Sequence, residues 1–182
     1  MRFAPTEIPG VVEIAAEPRA DARGFFARIY CPEEFAAAGV SFTSTQINLS
    51  RNDRLHTLRG MHWQDPPYAE AKLVRVTRGA IHDVVIDLRR ESPTFRRWIA
   101  RRLDANSANA LFIPEGCAHG FLTLEPDTDV LYQMSRPYMG GQARGLRYDD
   151  PGFAISWPAL PAVIGEADLA WPSPWTPGPW VP

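Results

Sequence analysis

The chain has 182 residues, 45% of them apolar, and a formal net charge of -2 at pH 7. Its length and apolar content predict one domain, residues 1–182, with a single core. The charge balance offers no basic field for nucleic acid, and no window holds the roughly 18 apolar residues that a membrane span needs. We therefore expect a cytoplasmic protein that binds neither nucleic acid nor membrane. The two cysteines lack the spacing of a disulfide framework or a zinc knuckle.

The N-terminal section predicts two short strands and one helix. Residues 11–14 indicate a first strand, and residues 25–30 indicate a second strand after a polar turn. Residues 32–39 are typical of a short helix, because proline suits the first turn, two glutamates complement the helix dipole and a glycine can close the helix.

Apolar residues between positions 45 and 134 alternate with a period near two, which predicts strands rather than helices. Glycine, proline, asparagine and aspartate separate these runs, a pattern that favours an all-β antiparallel sandwich or barrel. Gly79 predicts a tight hairpin between two strong strands, and residues 114–116 predict another turn. The predicted strands cover residues 45–49, 58–64, 72–78, 80–88, 98–103, 110–113, 120–124 and 130–134.

The last thirty or so residues are predicted to form a Pro/Trp-rich C-terminal tail. Residues 173–182 are the part of this tail that extends past the predicted domain core. Prolines recur from Pro151 to Pro182 and are expected to break any regular element, while Trp157, Trp171, Trp175 and Trp180 supply apolar mass. We expect the tail to wrap over the barrel and bury its rings; a partner-binding segment is the alternative.

A candidate base lies on the predicted strand at 58–64. Histidine is a side chain suited to accepting a proton, which makes His62 a candidate base. Arg59, Lys72 and His119 fall at predicted strand ends or turns, where binding residues gather. Successive side chains of a strand point to opposite faces, so Arg59 and His62, three positions apart, are predicted to lie on opposite faces. Both can reach one cavity only if the strand contains a bulge, which Gly60 allows. A structural, hydrogen-bonded role for His62 stays open.

Two further polar residues are predicted to face the interior of the barrel. Asp83 alternates with apolar neighbours, a costly placement unless it has a partner, for which His119 and Lys72 are candidates. Tyr132 shares a face with apolar residues, and burial would raise its pKa and keep the phenol protonated. An internal salt bridge for Asp83 and ordinary barrel filling by Tyr132 are the alternatives. No H-x-H pair accompanies His62, which disfavours a bound catalytic metal.

Eight short motifs follow one another between residues 21 and 151. They are DARGFF at 21–26, QINLS at 46–50, LRGMHWQ at 58–64, KLVRV at 72–76, DVVID at 83–87, SPTF at 92–95, IPEGCAHGF at 113–121 and YDDP at 148–151. Together they make the chain resemble the dTDP-4-dehydrorhamnose 3,5-epimerase family from about residue 5 to residue 172.

The resemblance implies a cupin-type double-stranded β-helix, a jelly-roll barrel, in a homodimer that exchanges N-terminal strands. It also implies an enzyme without metal or other cofactor that inverts C3 and/or C5 of a nucleotide-linked 4-keto-6-deoxyhexose of the dTDP-4-dehydro-6-deoxy-glucose type. The implied reaction removes and returns protons through an enolate, and it serves deoxysugar and polysaccharide biosynthesis.

The resemblance further implies a role for each candidate site residue. His62 would be the base, held by Asp168, with Tyr132 as the acid on the opposite face and Lys72 at the enolate oxygen. The implied substrate-binding residues are His119 with Asp83 for the sugar, Arg23 and Arg59 for the pyrophosphate, and Gln46, Asn48 and Tyr138 for the nucleotide and sugar cleft.

Three positions depart from the pattern of the family. Arg28 stands where a glutamate is usual, Ala143 where an acidic residue is usual and Ala167 where a basic residue is frequent. We expect these positions, Arg28 among them, to contact substrate rather than to transfer protons, so the nucleotide base stays open. The alternatives are a C3-only or C5-only epimerase on a different nucleotide sugar, a metal-dependent cupin enzyme and a non-catalytic binding module.

Overall fold

The computed structural model describes residues 1–177; the end of the expected tail, including Trp180, lies outside the described residues. The described chain is almost entirely β-structure with two short helices. Its elements are β1 (Arg2–Pro5), β2 (Val12–Ala15), β3 (Arg19–Asp21), β4 (Gly24–Phe26), α1 (Pro32–Ala37), β5 (Gln46–Asn52), β6 (Thr57–Gln64), β7 (Lys72–Arg78), β8 (Ala80–Asp87), β9 (Trp98–Asp104), β10 (Asn109–Ile113), β11 (Cys117–Thr123), β12 (Thr128–Met134), a 3-10 turn (Gly140–Gln142), β13 (Ala143–Gly145), β14 (Val163–Ile164) and α2 (Glu166–Leu169).

Two sheets face each other across the main core. One has the strand order β1-β2-β10-β7-β12-β5, the other has β13-β6-β11-β8-β9, and β14 adds to β6 in parallel. Apolar side chains from both inner faces form the core, among them Val74 and Leu111 from the first sheet and Val85 and Phe121 from the second. The predicted all-β, cupin-type jelly roll is confirmed.

Gly79 joins two different sheets rather than the arms of a hairpin. β7 pairs with β10 and β12, whereas β8 pairs with β9 and β11. The glycine has φ +78°, and a Cβ there would lie 2.3 Å from Oγ1 of Thr128. The predicted hairpin is therefore wrong, because alternation around one glycine is the same whether the chain folds back or crosses to the facing sheet.

The outer face of the first sheet is partly covered by the N-terminal section. Phe35 of α1 is fully buried, and it meets Phe3 and Tyr30 edge to face with ring centroids 5.1 Å apart. The helix predicted at 32–39 is confirmed as α1. The strand predicted at 25–30 is wrong beyond Phe26, and β1 was not predicted.

The C-terminal tail lies against the outer face of the second sheet. Trp157 and Trp175 pack on the cluster that includes Met61 and Val84. The expectation that prolines break every regular element is wrong, because no proline stands between Pro161 and Pro172, and β14 and α2 form in that gap. Within residues 1–177, no helix has the length and hydropathy to cross a membrane.

Candidate active site

A cavity of about 620 Å³ opens among β5, β6, β7, β11, β12 and the segment from Tyr138 to Trp171. This volume is within the usual range for small-molecule sites. Nine residues to which the family resemblance assigned a catalytic or binding role line it: Gln46, Asn48, Arg59, His62, Lys72, His119, Tyr132, Tyr138 and Asp168. The fold therefore brings together side chains that lie up to about 120 positions apart in the chain.

His62 and Asp168 form a histidine–carboxylate pair at the cavity. Nε2 of His62 lies 2.5 Å from Oδ1 of Asp168, and the backbone N–H of Gly60 donates to Oδ2 at 3.1 Å. The carboxylate is thus held by two donors on β6, and it fixes the ring of His62. With Nε2 engaged, Nδ1 is the ring nitrogen available to a substrate.

The environment keeps Asp168 ionised. Burial on its own raises the pKa of this carboxyl group, but the hydrogen bond and charge of His62, the Gly60 N–H and the charge of Arg59 outweigh it. The net pKa of Asp168 lies below its ordinary value of 3.8. A permanent negative charge therefore stands behind His62 at neutral pH, where it stabilises an imidazolium.

A bulge at Gly60 lets Arg59 and His62 reach the same cavity. In the β6–β11 ladder His62 pairs with His119 and Arg59 with Phe121, so the register shifts between them. Gly60 has φ +119°, and a Cβ there would lie 2.5 Å from the Cα of Gly120. The bulge expected from parity is confirmed, and its glycine is required both by conformation and by space.

Tyr132 enters the cavity from β12. Its ring packs against the main core, and burial raises the pKa of its phenol, although the charge of Arg59 acts in the opposite direction. The expected inward orientation and the direction of the pKa change are confirmed. A protonated phenol in this position can donate a proton.

Lys72 brings an ammonium group to the cavity from the start of β7. Its Nζ donates to the backbone oxygen of His62 at 3.1 Å and lies 3.1 Å from Oε1 of Glu70. Its side chain is only 9% exposed. The hydrogen bond places a positive charge next to the backbone of His62, where it can stabilise an anion that develops in the cavity.

His119 and Asp83 form a second histidine–carboxylate pair. Nε2 of His119 lies 2.6 Å from Oδ1 of Asp83, and Asp83 is fully buried on the inner face of β8. Of the two partners considered for Asp83, the structure selects His119. Asp83 does not line the cavity itself and orients the histidine that does.

Side-chain contacts order the remaining predicted cavity residues. Nε of Arg59 donates to Oδ1 of Asn52 at 2.8 Å, Gln46 donates to Asn48, and Oε1 of Gln46 accepts the backbone N–H of Tyr138. Gln46 on β5 thus holds the backbone of Tyr138, whose side chain is exposed.

Arg23 and Arg28 lie outside this cavity. Arg23 belongs to the β3–β4 hairpin and pairs with Asp21, and Arg28 pairs with Glu34. The hairpin is exposed at every residue, with Phe26 76% exposed. Within one chain the structure does not bring either arginine to His62.

Several lining residues were not singled out as site residues from the sequence. The cavity wall also contains Ser50, Trp63, Glu70, Phe121, Met134, Arg144 and Trp171. Glu70 carries charge two residues before the strand predicted at 72–78, which was an available signal, whereas Arg144 lies in β13, a strand that was not predicted. Among residues 1–177, no group of three or more His, Cys, Asp or Glu side chains is arranged to hold a metal ion.

Comparison with known proteins identifies the family. The family described as dTDP-4-dehydrorhamnose 3,5-epimerase matches residues 5–174. The chain belongs to this family. The dTDP-4-dehydrorhamnose 3,5-epimerase of Sinorhizobium fredii is 37% identical over 174 residues, which cover 95% of this chain and 89% of that protein.

Two further members of the epimerase family are similar over most of their length. The dTDP-4-dehydrorhamnose 3-epimerase of Streptomyces niveus is 40% identical over 169 residues, 92% of this chain and 81% of that one. The crystal structure of the Bacillus anthracis 3,5-epimerase with TDP and PPi bound superposes with a TM-score of 0.92 at 34% identity, covering 94% of this chain and 98% of that one. The family predicted from the motifs is confirmed.

Proposed function

We propose that this epimerase inverts C3 and/or C5 of a dTDP-linked 4-keto-6-deoxyhexose, as one single-domain cupin-type enzyme of deoxysugar biosynthesis. The observation that carries the proposal is the placement of His62, backed by Asp168, in one cavity with Tyr132 and Lys72. Such a site holds a base, an acid and a cation, which is the set that epimerisation next to a ketone requires.

The proton transfers follow from the chemistry of the ketone. The C4 carbonyl acidifies the adjacent C–H bonds; His62 takes the proton, and the bonding electrons move onto the C4 oxygen as an enolate. Lys72 stabilises that oxygen. The phenol of Tyr132 then returns a proton to carbon from the opposite face, the enolate collapses to the ketone, and solvent restores both side chains.

The remaining cavity residues are assigned to substrate binding. His119, oriented by Asp83, binds the sugar; Arg59 binds a phosphate, since charge-assisted hydrogen bonds to phosphate contribute on the order of 1.5–3 kcal/mol each. Gln46, Asn48 and Tyr138 line the nucleotide side. The thymidine assignment is supported by the similar Bacillus anthracis enzyme, whose structure contains TDP.

Two of the three departures from the family pattern stand at the cavity. Ala143 and Ala167 line it, next to Arg144 and Asp168. Compared with the pattern of the family, a methyl group stands in place of an acidic side chain at position 143 and of a basic side chain at position 167. The cavity wall therefore lacks one hydrogen-bond acceptor and one positive charge. We assign these positions to tuning of nucleotide contacts, with the proton transfers unaffected.

Arg23 and Arg28 enter the proposal through a homodimer. The exposed β3–β4 hairpin packs in neither of the two large sheets, and its phenylalanines offer apolar surface to another molecule. In a homodimer with exchanged N-terminal strands, the hairpin would carry Arg23 to the partner's cavity as a pyrophosphate ligand, with Arg28 nearby.

The test is proton exchange with solvent. Wild-type protein in heavy water with dTDP-4-keto-6-deoxyglucose should place deuterium at C3, C5 or both, and His62→Ala should lose this exchange. UDP-, GDP- and CDP-linked analogues identify the accepted base. Ligand binding without exchange at any carbon would indicate a binding module, and activity lost to a chelator together with stoichiometric metal would indicate a metal-dependent enzyme.

A further inference from the structure

Glu70 is a buried carboxylate in the cavity wall that the proposed proton transfers do not use. It stands two residues before the start of β7, and its side chain is 2% exposed. It lines the same cavity as His62 and Lys72. Carboxylates are rarely placed so deeply unless they are paired, because removing the charge from water is costly.

The contact of Glu70 with Lys72 accounts for its position. Oε1 lies 3.1 Å from Nζ of Lys72, while no described residue donates a hydrogen bond to the buried Oε2. Nζ also donates to the backbone oxygen of His62 at 3.1 Å. An ammonium has three N–H donors, so these two neighbours leave one donor for the cavity.

Two anchors restrict a side chain that is otherwise flexible. Lysine carries its charge on a stem of four carbons, and a point charge displaced by an ångström loses much of its effect on a developing anion. We propose that Glu70 is a positioning residue that holds the Lys72 ammonium at the enolate oxygen. This inference rests on the proposed function, in which Lys72 stabilises that oxygen.

The first test separates an effect on the position of the Lys72 ammonium from an effect on substrate binding. Glu70→Leu removes the oxygen that faces Lys72 at similar volume, and it should lower kcat by about tenfold or more while KM changes by less than about threefold, because the enolate forms only during reaction. Glu70→Gln keeps an oxygen and should regain most of that loss. Glu125→Leu, at an exposed glutamate near Arg102, is the control for the substitution itself.

The second test asks whether Glu70 acts through Lys72. In a Lys72→Met background, Glu70→Leu should lower kcat by no more than about twofold further, whereas independent roles would multiply the two losses. Lys72→Met alone leaves the buried carboxylate without its cation, so the double variant should melt at a higher temperature than Lys72→Met.

The outcomes distinguish this inference from the proposed function. Absence of solvent exchange in the wild-type protein would overturn the function and with it the role of Glu70. Active wild type with an unchanged kcat in Glu70→Leu, or multiplied losses in the double variant, would overturn the role of Glu70 alone. Should Glu70→Leu fail to fold, Glu70→Ala takes its place, and a wild-type kcat in that variant has the same meaning.

Discussion

His62 and Tyr132 divide the proposed proton transfers between two side chains of different chemistry. The imidazole is oriented by a carboxylate at 2.5 Å, whereas the phenol is kept protonated by burial, which raises its pKa. A base that is ready to accept and an acid that is ready to donate can therefore coexist at one pH.

Tyr132→Phe should separate proton removal from proton return. His62 is intact in this variant, so deuterium exchange at the substrate carbon should persist, while formation of the inverted product should fall at least about 100-fold. Nuclear magnetic resonance of the sugar in heavy water measures both quantities. Equal loss of exchange and inversion would contradict the assignment of Tyr132 as the acid.

Asp168→Asn should lower kcat by about 10²–10⁴-fold, because the amide cannot stabilise an imidazolium as the carboxylate does. The pKa of Asp168 is lowered in the folded protein, so its stabilising contribution is present above the ordinary pKa of 3.8 and is lost as pH falls through the folded value. Denaturant unfolding at several pH values should show the wild type more stable than Asp168→Asn at pH 7, with the difference shrinking below about pH 4. A difference independent of pH would contradict the ionised state.

The orientation of a side chain could be predicted from the sequence where polar and apolar residues alternate along a strand, and its place in the site could be predicted where it belongs to a motif. Parity placed Asp83 and Tyr132 inside the barrel, and the structure agrees. The choice of His119 over Lys72 as partner of Asp83 was not predictable, because it depends on which strands are neighbours in the second sheet. The contact between Glu70 and Lys72 was also not predicted, although the two residues are close in the chain.

At the scale of elements, β6 is the strand on which the site depends. Its bulge at Gly60 turns Arg59 and His62 toward one cavity, and the N–H of Gly60 holds Asp168. The close approach of Gly60 to Gly120 leaves no room for a side chain. One irregular position thus connects the backbone of the strand with the geometry of the base.

Gly60→Ala should destabilise the fold by about 2–5 kcal/mol, because the new Cβ meets backbone at 2.5 Å in a conformation unfavourable for alanine. Activity should fall further than the folded fraction, since His62 moves relative to Asp168. Chemical denaturation and kcat measure the two effects. Gly141→Ala is the matched control, because no atom lies within 4 Å of a Cβ there; a similar loss in both variants would contradict the role of the bulge.

Strands with a strongly alternating sequence were predicted well, whereas short strands without such alternation were not predicted. The strand predicted at 72–78 coincides with β7, and those at 58–64 and 98–103 differ from β6 and β9 by one residue. β1, β13 and β14 have two to four residues each, and such short strands are specified by pairing with a neighbour rather than by their own sequence. The crossing at Gly79 was missed because the alternation on either side of the glycine does not show which strands pair.

At the scale of the whole molecule, the exposed β3–β4 hairpin is the feature that one chain leaves unexplained. Its residues are exposed throughout, and Arg23 is paired only locally. The hairpin pairs with neither large sheet, and it contributes no residue to the core between them. A second copy of the chain gives it a function in the proposed dimer.

Complementation tests the exchange of N-terminal strands. Arg23→Ala and His62→Ala chains, co-expressed, should form heterodimers in which one cavity has both native residues, giving about a quarter of wild-type activity after random assembly. His62→Ala with Tyr132→Phe is the control, since both residues line the same chain's cavity and no heterodimer restores either site. Activity of the first pair no greater than that of its separate variants would contradict the exchange.

The carboxylate that orients His62 belongs to a segment distinct from the barrel. Asp168 lies 106 positions after His62, and β14 attaches this segment to β6 through two residue pairs. Residues 162–171 also supply the cavity wall at Gly165, Ala167 and Trp171. Variation after β14, at residues 165–171, can change the environment of His62 and the shape of the pocket without altering a strand of either sheet, so this stretch is the natural place to graft or randomise when the substrate range is to be engineered.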